Sequence, residues 1–300
     1  LTVGHNNIAI GHGALDAADT ATARNTNIAI GTSALGGQTA AVTHCIAIGH
    51  NALLLQNADV KNTAIGGLAG STIDDGTGNT LVGFSAGRDI DDTHCNTAFG
   101  HQAFVRGTGT GNTVIGCNAG SSNDDSGTAL SGQDNTLVGN SAGYKLTTGD
   151  YNILIGRNAG FEMSAGVDNV IIGRAAGDGL TGASTQNIVL GKDALGGCTA
   201  VTSSNIAIGA GTLKHASYAA ANINIAIGQD AGTGVTSGTK NVLIGHEAGS
   251  TLATAGDCTA VGYNTLKLAT GVRNTAFGVN AAVQVAAGTY NTALGGFALY

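Results

Sequence analysis

Pairs of adjacent aspartates recur at one position of a repeated sequence, and carboxylates placed in this way could bind a cation. Asp74–Asp75 and Asp91–Asp92 lie eight and nine residues after a glycine of the repeat, as does the pair at 124–125. Carboxylate oxygens are ligands that Ca²⁺ prefers, and two adjacent coils would bring four of them to one edge. Glycine and threonine around the pairs favour a solvated acidic turn. We therefore expect no cofactor and keep calcium as the alternative.

Three basic residues form a second column, because Arg157, Arg174 and Lys192 each follow a glycine of the repeat directly. Like charges stacked at strand spacing repel one another. They would be stabilised by an anionic glycan or by the nearby acids Glu162, Asp178 and Asp193. We expect local compensation and keep the glycan as the alternative. No serine–histidine–aspartate set or carboxylate pair stands out from the repeat, so we expect no enzymatic activity.

Histidines occupy the same position in other repeats, at His12, His50, His101 and His246. Such a column could bind a metal ion if it lay on a threefold axis. The same position also accepts Phe84 and other unrelated residue types. An outward-facing turn with solvent-exposed histidines is therefore the better interpretation.

All these positions are defined by the motif N-x-x-x-G-x-x-A, which recurs seventeen times between Asn7 and Ala298, with Cys or Thr replacing its Asn or Ala in three copies. Its glycines, here called the repeat glycines, are mostly 17 or 18 residues apart, with extremes of 16 and 23. Uninterrupted repetition of one short unit is typical of solenoid proteins, in which each coil packs on its neighbours. We therefore predict that residues 1–300 form a single elongated module of about 17 coils, cut from a longer chain.

The three residues before each repeat glycine predict a short β-strand. The first is always Ile, Val or Thr, the second Ala, Leu, Val or Ile, and the third Ile, Val, Leu or Phe. Successive side chains of a strand point to opposite faces, and neither face is polar here. We therefore expect an all-β, parallel β-solenoid or β-roll with both strand faces buried. One face would line the core, and the other would lie under the same coil or another chain.

At two positions of the repeat, a large residue at one is matched by a small residue at the other. Where the strand centre is large, as at Leu243, the residue four after the repeat glycine is small, as at Gly249. Where the centre is small, as at Ala260, that residue is large, as at Leu266. Four repeats depart from this rule: Ala64/Gly70, Val189/Leu195, Ala226/Gly232 and Ala276/Ala282. Close packing demands a constant total volume, so we predict that the two columns touch, within one coil or between subunits.

Two further columns are predicted to be structural ladders. The residue four before the repeat glycine is Asn in fifteen repeats and Cys45 or Cys258 in the other two. Asparagines stacked at strand spacing can hydrogen-bond to one another, and glycine permits a backbone conformation that other residues avoid. The ladder residues of the central repeats are Asn62, Asn79, Asn96, Asn112, Asn135, Asn152, Asn169, Gly66, Gly83, Gly100, Gly116, Gly139, Gly156 and Gly173.

Composition excludes several classes of protein. The 50 glycines do not recur at every third position, which excludes collagen. A net charge of −7 gives no basic surface for nucleic acid. No uncharged apolar run reaches the roughly 18 residues that span a bilayer, so we expect no membrane insertion. The five cysteines are an odd number and do not form the pattern of a disulfide framework, which favours folding in a reducing cytoplasm.

The repeats resemble those of two families. I-A-I-G at residues 46–49 is similar to the head repeats of trimeric autotransporter adhesins. N-T-A-F-G at residues 96–100 is still more similar to the N-T-x-x-G-x-x-A-G repeats of phage tail fibres. The resemblance covers residues 7–300. It implies three chains around a threefold axis, a left-handed β-roll and an adhesive role, although the period of about 17 is longer than the autotransporter period.

We therefore expect a homotrimeric shaft of a phage tail fibre or similar appendage, in the virion or outside the cell. Its variable loops, such as residues 121–132, would bind a cell-surface glycan or protein receptor. The alternatives are a bacterial adhesin head, a carbohydrate-cleaving tailspike, a self-assembling extracellular fibril and an ice-binding threonine array. The ice-binding array would consist of Thr63, Thr80, Thr97, Thr113 and Thr136. Other repeats have Ile or Val at this position, which predicts a buried β-branched column and counts against ice binding.

Overall fold

The computed structural model describes residues 4–16, 24–38, 41–57, 61–121, 129–198, 202–215 and 223–300. These segments contain seventeen β-strands of three residues each and no helix. The chain divides into two compact units, Leu1–Tyr151 and Asn152–Tyr300. The strands of the first unit are β1 (Ile8–Ile10), β2 (Ile28–Ile30), β3 (Ile46–Ile48), β4 (Thr63–Ile65), β5 (Thr80–Val82), β6 (Thr97–Phe99), β7 (Thr113–Ile115) and β8 (Thr136–Val138). Those of the second are β9 (Ile153–Ile155), β10 (Val170–Ile172), β11 (Ile188–Leu190), β12 (Ile206–Ile208), β13 (Ile225–Ile227), β14 (Val242–Ile244), β15 (Thr259–Val261), β16 (Thr275–Phe277) and β17 (Thr292–Leu294).

Within each unit, every strand pairs in parallel with the strand of the next coil. The register is equivalent throughout, so that the centre of one strand lies beside the centre of the next, as Ala29 lies beside Ala47 and Val242 beside Thr259 at the first position. The repeat glycine extends each ladder, because the N–H of Gly31 donates to the carbonyl of Ile10 at 2.8 Å. The predicted all-β, parallel β-solenoid is confirmed.

The inner side of the strands forms the core, and the predicted contact between compensating columns lies within the single chain, in one coil and between adjacent coils. Leu81 and Leu243, both strand centres, are fully buried. A side chain built on Gly87 would begin 2.7 Å from the Cδ2 of Leu81, and one built on Gly249 would begin 2.7 Å from the Cδ2 of Leu243. Each glycine therefore leaves the space that the leucine of its own coil occupies.

A third column completes this core, seven residues after the repeat glycine. It holds a buried aliphatic residue where the middle column is glycine, as at Leu252, whose Cδ1 lies 2.7 Å from the position of a Cβ on Gly249. It holds a smaller or polar residue where the middle column is leucine, as at Gln56, Cys198 and Ala269, all buried. We call these three positions of a coil its core triplet.

The outer side of the strands is not covered by the coil itself. The first and third residues of the strands are half-buried or exposed, with Phe99 56% and Phe277 41% exposed. In the single chain, Thr80 of the threonine column is exposed and Thr97 is half-buried, and burial of this column by another chain stays a prediction. The sequence shows that both faces are apolar, but the coil itself covers only one of them.

Left-handed backbone recurs at four positions of a coil and produces its turns. In the coil of Gly262 these positions are Asp257, Gly262, Asn264 and Leu266, with φ of 59°, 136°, 55° and 51°. Left-handed backbone costs an L-residue about 1–2 kcal/mol. A leucine offsets this cost at the fourth position, because burying its side chain contributes about 1.5–3 kcal/mol.

The repeat glycines differ from the other left-handed positions in having no room for a side chain. Gly173 has a φ of 141°. A Cβ on Gly173 would lie 2.5 Å from the carbonyl oxygen of Gly191, the repeat glycine of the next coil. This close stacking explains the glycine of this column where another coil follows, whereas a Cβ on Gly295 would meet no atom within 4 Å.

Candidate interaction surface

Each unit presents one continuous outward face, four columns wide. Side chains five, three and one residues before the repeat glycine point outward, as does the residue directly after it. The residues between them, including Asn169 in the coil of Gly173, point into the core. The alternation of the three-residue strand continues into the residues on either side of it, so the four columns lie on one side of the coil. In the coil of Gly173 its residues are Asp168, Val170, Ile172 and Arg174.

The two central columns of the outward face form an apolar stripe. They consist of the first and third strand residues, which are Ile, Val, Thr, Leu or Phe in every repeat and never charged. The single chain leaves several of their large side chains exposed: Ile8, Ile10, Ile65, Phe99, Ile115, Ile153, Ile188, Ile208, Phe277 and Leu294. A contiguous exposed apolar surface bordered by polar residues marks a site of interaction.

Mostly polar and charged residues border the stripe on both sides, with apolar exceptions at Ile223, Phe84 and Val279. We call the column five residues before the repeat glycine the first rim, and the column directly after that glycine the second rim. On the first rim, Arg273 lies 3.6 Å from Asp257, between Nε and Oδ2, and its guanidinium is 5.3 Å from the ring centre of Tyr290. On the second rim, the His246 and Tyr263 rings stack at 5.3 Å.

The asparagine column lies directly beneath this face and holds its coils together. The backbone N–H of Asn187 donates to the Oδ1 of Asn169 at 3.0 Å, and the Nδ2 of Asn187 donates to the carbonyl of Thr202 at 3.0 Å. Each asparagine thus joins its own coil to the coils on either side. The ladder asparagines are all buried, at Asn62, Asn79, Asn96, Asn112, Asn135, Asn152 and Asn169.

Where cysteine replaces asparagine in this ladder, the hydrogen bond to the preceding coil is kept. The N–H of Cys258 still donates to the Oδ1 of Asn241 at 3.0 Å, and its thiol donates to the carbonyl of Gly271 at 3.5 Å. Burial raises the pKa of the Cys258 thiol. A buried thiol of this kind stays protonated at neutral pH and serves packing.

The basic column lies exposed on the second rim. Lys192 is 3.7 Å from Asp193, between Nζ and Oδ2, while Arg157 and Arg174 form no ion pair in the part of the chain that the structure describes. Of these three basic residues, only Lys192 therefore has its charge compensated by an ion pair with a neighbouring acid among the described residues. Asp178 is not paired with this column, and its pKa is raised by burial and then by Asp193.

The acidic residues of the first unit lie close enough to affect one another. The pKa of Asp91 is raised, first by burial and then by the charge of Asp92, with smaller contributions from Asp74 and Asp75. Among the described residues, no group of three or more His, Cys, Asp or Glu is placed to hold a metal ion. The third pair, at 124–125, lies outside the described residues.

The histidines of the second rim point outward. His101 is exposed, stacks on Phe84 of the preceding coil at 5.7 Å, and its Nδ1 lies 4.0 Å from the Sγ of Cys117 of the following coil. Ring stacking and a thiol contact thus link three coils along this rim. Sequence reasoning identified the column but not these contacts, because stacked neighbours are about 17 residues apart and of unrelated types.

Comparison with protein-family models finds no match, and no curated protein is significantly similar to this chain. The described residues also contain no helix of the length and hydropathy that would cross a membrane. Of the variable loop at 121–132, residues 122–128 lie outside the described segments.

Proposed function

We propose that this chain is the self-associating shaft of an attachment fibre and that its outward face binds further copies of the chain, as a homotrimer. The observation that carries the proposal is an apolar stripe lying between two polar rims. An apolar centre with a polar periphery is the general anatomy of protein–protein interfaces. The stripe runs through the coils of each unit, so association along it would bury apolar surface in every coil.

The resemblance to tail-fibre repeats and the repeated scaffold support a place in a phage tail fibre or a similar appendage. A stack of coils held by backbone ladders and buried asparagines is suited to bear load rather than to shape a pocket. Recognition of a cell-surface glycan or protein would fall to the variable loops. Because an oligomer repeats each contact, weak binding at single loops would gain strength through effective concentration.

Self-association is tested by sedimentation velocity on the protein and on two matched variants. Phe277→Lys places a charge in the apolar stripe, whereas Leu268→Lys places it at a similarly exposed leucine outside the outward face. We expect wild type and Leu268→Lys to sediment as the same oligomer and Phe277→Lys to dissociate. A wild-type protein that remains a folded monomer would contradict the proposal.

Attachment is tested separately, by binding loop variants to whole cells or glycan arrays and comparing their thermal melts. Substitutions in the loop at 121–132 should abolish attachment without changing the melting temperature. If every loop variant attaches normally, the receptor-binding part lies outside this segment and the segment is a spacer.

An ice-binding surface is a second candidate, favoured by the orientation of the threonine column. Thr63, Thr80 and Thr97 lie on consecutive strands of the outward face, half-buried or exposed. Ice binding and self-association need the same surface, so they exclude each other. Thermal hysteresis by a monomeric protein would favour ice binding, whereas an oligomer without hysteresis would favour the fibre.

A further inference from the structure

We propose that the second rim of the second unit binds a linear anionic polysaccharide. Its contacts would be Arg157, Arg174 and Lys192, which we call the basic track, and the anionic groups would be carboxylates or sulfates. This lateral site is additional to the variable loops of the proposed function. It lies beside the apolar stripe, so binding there and self-association can be tested apart.

The side chains of the basic track lie next to one another on three successive coils. The backbone N–H of Ala175, in the coil of Arg174, donates to the carbonyl of Arg157 at 2.9 Å. The N–H of Asp193, beside Lys192, donates to the carbonyl of Arg174 at 3.0 Å. Neighbouring strands lie about 4.8 Å apart, so the three residues form a line about 10 Å long across the strands. All three side chains are exposed, so a ligand lying across the strands could contact them together.

Two of the three cations have no acidic partner among the residues that the structure describes. The Nζ of Lys192 lies 3.7 Å from the Oδ2 of Asp193, the next residue. Neither arginine is followed by an acid, and neither takes part in an ion pair within the described segments. Guanidinium groups on adjacent coils repel each other. An oxyanion between them would relieve this repulsion, and a guanidinium matches such a group with two parallel hydrogen bonds.

The rest of the second rim favours a polymer over a single small anion. The rim holds no acid at any of its seventeen positions, although the chain carries 19 acidic and 12 basic residues. Beyond Lys192 the rim includes an amide, Gln229, and then two aromatic rings. The rings of His246 and Tyr263 stack at 5.3 Å. At about 4.8 Å per coil, the distance from the first arginine to Tyr263 is about 30 Å, so a polymer lying along it would meet cations, an amide and aromatic rings in turn.

The spacing of the charges favours a polysaccharide over nucleic acid. A polysaccharide with one anionic group on each sugar carries its charges about one coil apart, because a sugar ring is about as long as the distance between neighbouring coils. Aromatic side chains combine apolar surface with a polar atom, which suits sugar rings with apolar faces and hydroxyl edges. Duplex DNA carries one charge per about 1.7 Å, and proteins that bind it present a larger basic surface than this chain, whose net charge is −7.

Binding of the full chain to four labelled polymers tests the proposal. The polymers are alginate, which carries carboxylates, dextran sulfate, neutral dextran and duplex DNA. The test variant combines Arg157→Gln with Arg174→Gln, and glutamine is already present on this rim at Gln229. The control variant combines Lys61→Gln with Lys240→Gln, two exposed residues of the first rim, and changes the net charge equally. Both variants should sediment as the wild type does, because none of the four residues lies in the apolar stripe.

The wild type should bind alginate or dextran sulfate and not neutral dextran. The test variant should bind at least about tenfold more weakly, because a lost charge-assisted hydrogen bond is equivalent to about that factor. The slope of log Kd against log salt should fall by about 1 for each arginine removed. The control variant should keep the wild-type affinity.

Four results would overturn the proposal: equal losses in both variants, no binding to either anionic polysaccharide, tighter binding to DNA than to both of them, or dissociation of the test variant alone. The last would place the arginines in the contact between copies. A monomeric wild type that binds polysaccharide through these arginines would instead contradict self-association and leave the basic track as proposed.

Discussion

Transplanting the core triplet of one coil into its neighbour tests whether compensation of volume specifies this core. The coils of Gly245 and Gly262 are adjacent and have opposite triplets, all buried. The first triplet is Leu243, Gly249 and Leu252, and the second is Ala260, Leu266 and Ala269. Leu243→Ala, Gly249→Leu and Leu252→Ala together therefore give the coil of Gly245 the core of its neighbour.

The single substitutions should each be costly. Leu243→Ala removes a fully buried leucine and should lower the free energy of unfolding by about 2–5 kcal/mol. Gly249→Leu adds a Cβ at 2.7 Å from both the Leu243 and the Leu252 side chains, and such overpacking costs about 1–3 kcal/mol. Its backbone is suitable, since Gly249 has a φ of 60° and Leu266 has 51° at the same position.

Combination should recover part of this loss. Independent effects would add up to about 3–8 kcal/mol for the double variant. Because the new leucine fills the space of the old one, we expect the double to be destabilised by at least about 1 kcal/mol less than the sum. Adding Leu252→Ala should recover more. Recovery stays incomplete, since Leu243 also lies 2.8 Å from the position of a Cβ on Gly232 in the preceding coil.

Denaturant unfolding at one protein concentration measures these differences, and an unchanged m-value shows that the same transition is compared. The matched control combines Leu243→Ala with Gly177→Leu, the same change at the same column four coils away. That pair should be additive. If the Leu243–Gly249 pair is equally additive, the reasoning from compensating columns is refuted.

Three further predictions concern the ladders and a buried thiol. Asn187→Ala should lower the free energy of unfolding by at least about 1–3 kcal/mol in denaturant titrations, since it leaves buried polar groups unpaired, whereas Gln186→Ala, at the exposed neighbour, should change it by less than about 0.5 kcal/mol. Gly83→Ala should lower the melting temperature far more than Gly78→Ala, because only the first places a Cβ against a backbone carbonyl, in a region of φ that itself costs about 1–3 kcal/mol; equal melts would contradict the stacked-glycine explanation. Burial raises the pKa of Cys198 from 9.0 to about 12. The stabilising contribution of the protonated thiol should therefore be complete below pH 9 and be lost as the pH rises towards 12. The free energy of unfolding should fall more between pH 8 and pH 11 in the wild type than in Cys198→Ala.

The repeat predicts most of the fold because packing and backbone conformation limit the residue type at each of its positions. Short apolar triplets before a glycine predict the strands, and the exchange between Leu243 and Gly249 predicts a contact that the structure places within one coil. The third core column was missed because it follows the turn, where repeats differ in length and the partner of Gly249 has no fixed residue type. Left-handed leucines such as Leu266 were missed because burial outweighs the local preference of the residue.

The exposed outward face could not be predicted because apolar character does not say which molecule provides the cover. Phe99 and Leu81 both belong to strands, yet one is 56% exposed and the other fully buried. Both faces of each strand are apolar in the sequence, so hydrophobic patterning does not distinguish them. The path of the coil decides which face lines the core.

The pattern of compensation separates the two faces where hydrophobicity does not. In the core, a change at Leu243 is matched at Gly249, a residue that touches it in the same coil. The outward face has no comparable rule, since the residue directly after the repeat glycine is Phe84, His101 or Arg157 in different coils, which differ in size and charge. Packing couples only groups that meet, so columns that compensate one another specify how the chain folds on itself. If the Leu243–Gly249 pair proves additive, compensation does not distinguish the inner face from the outward one.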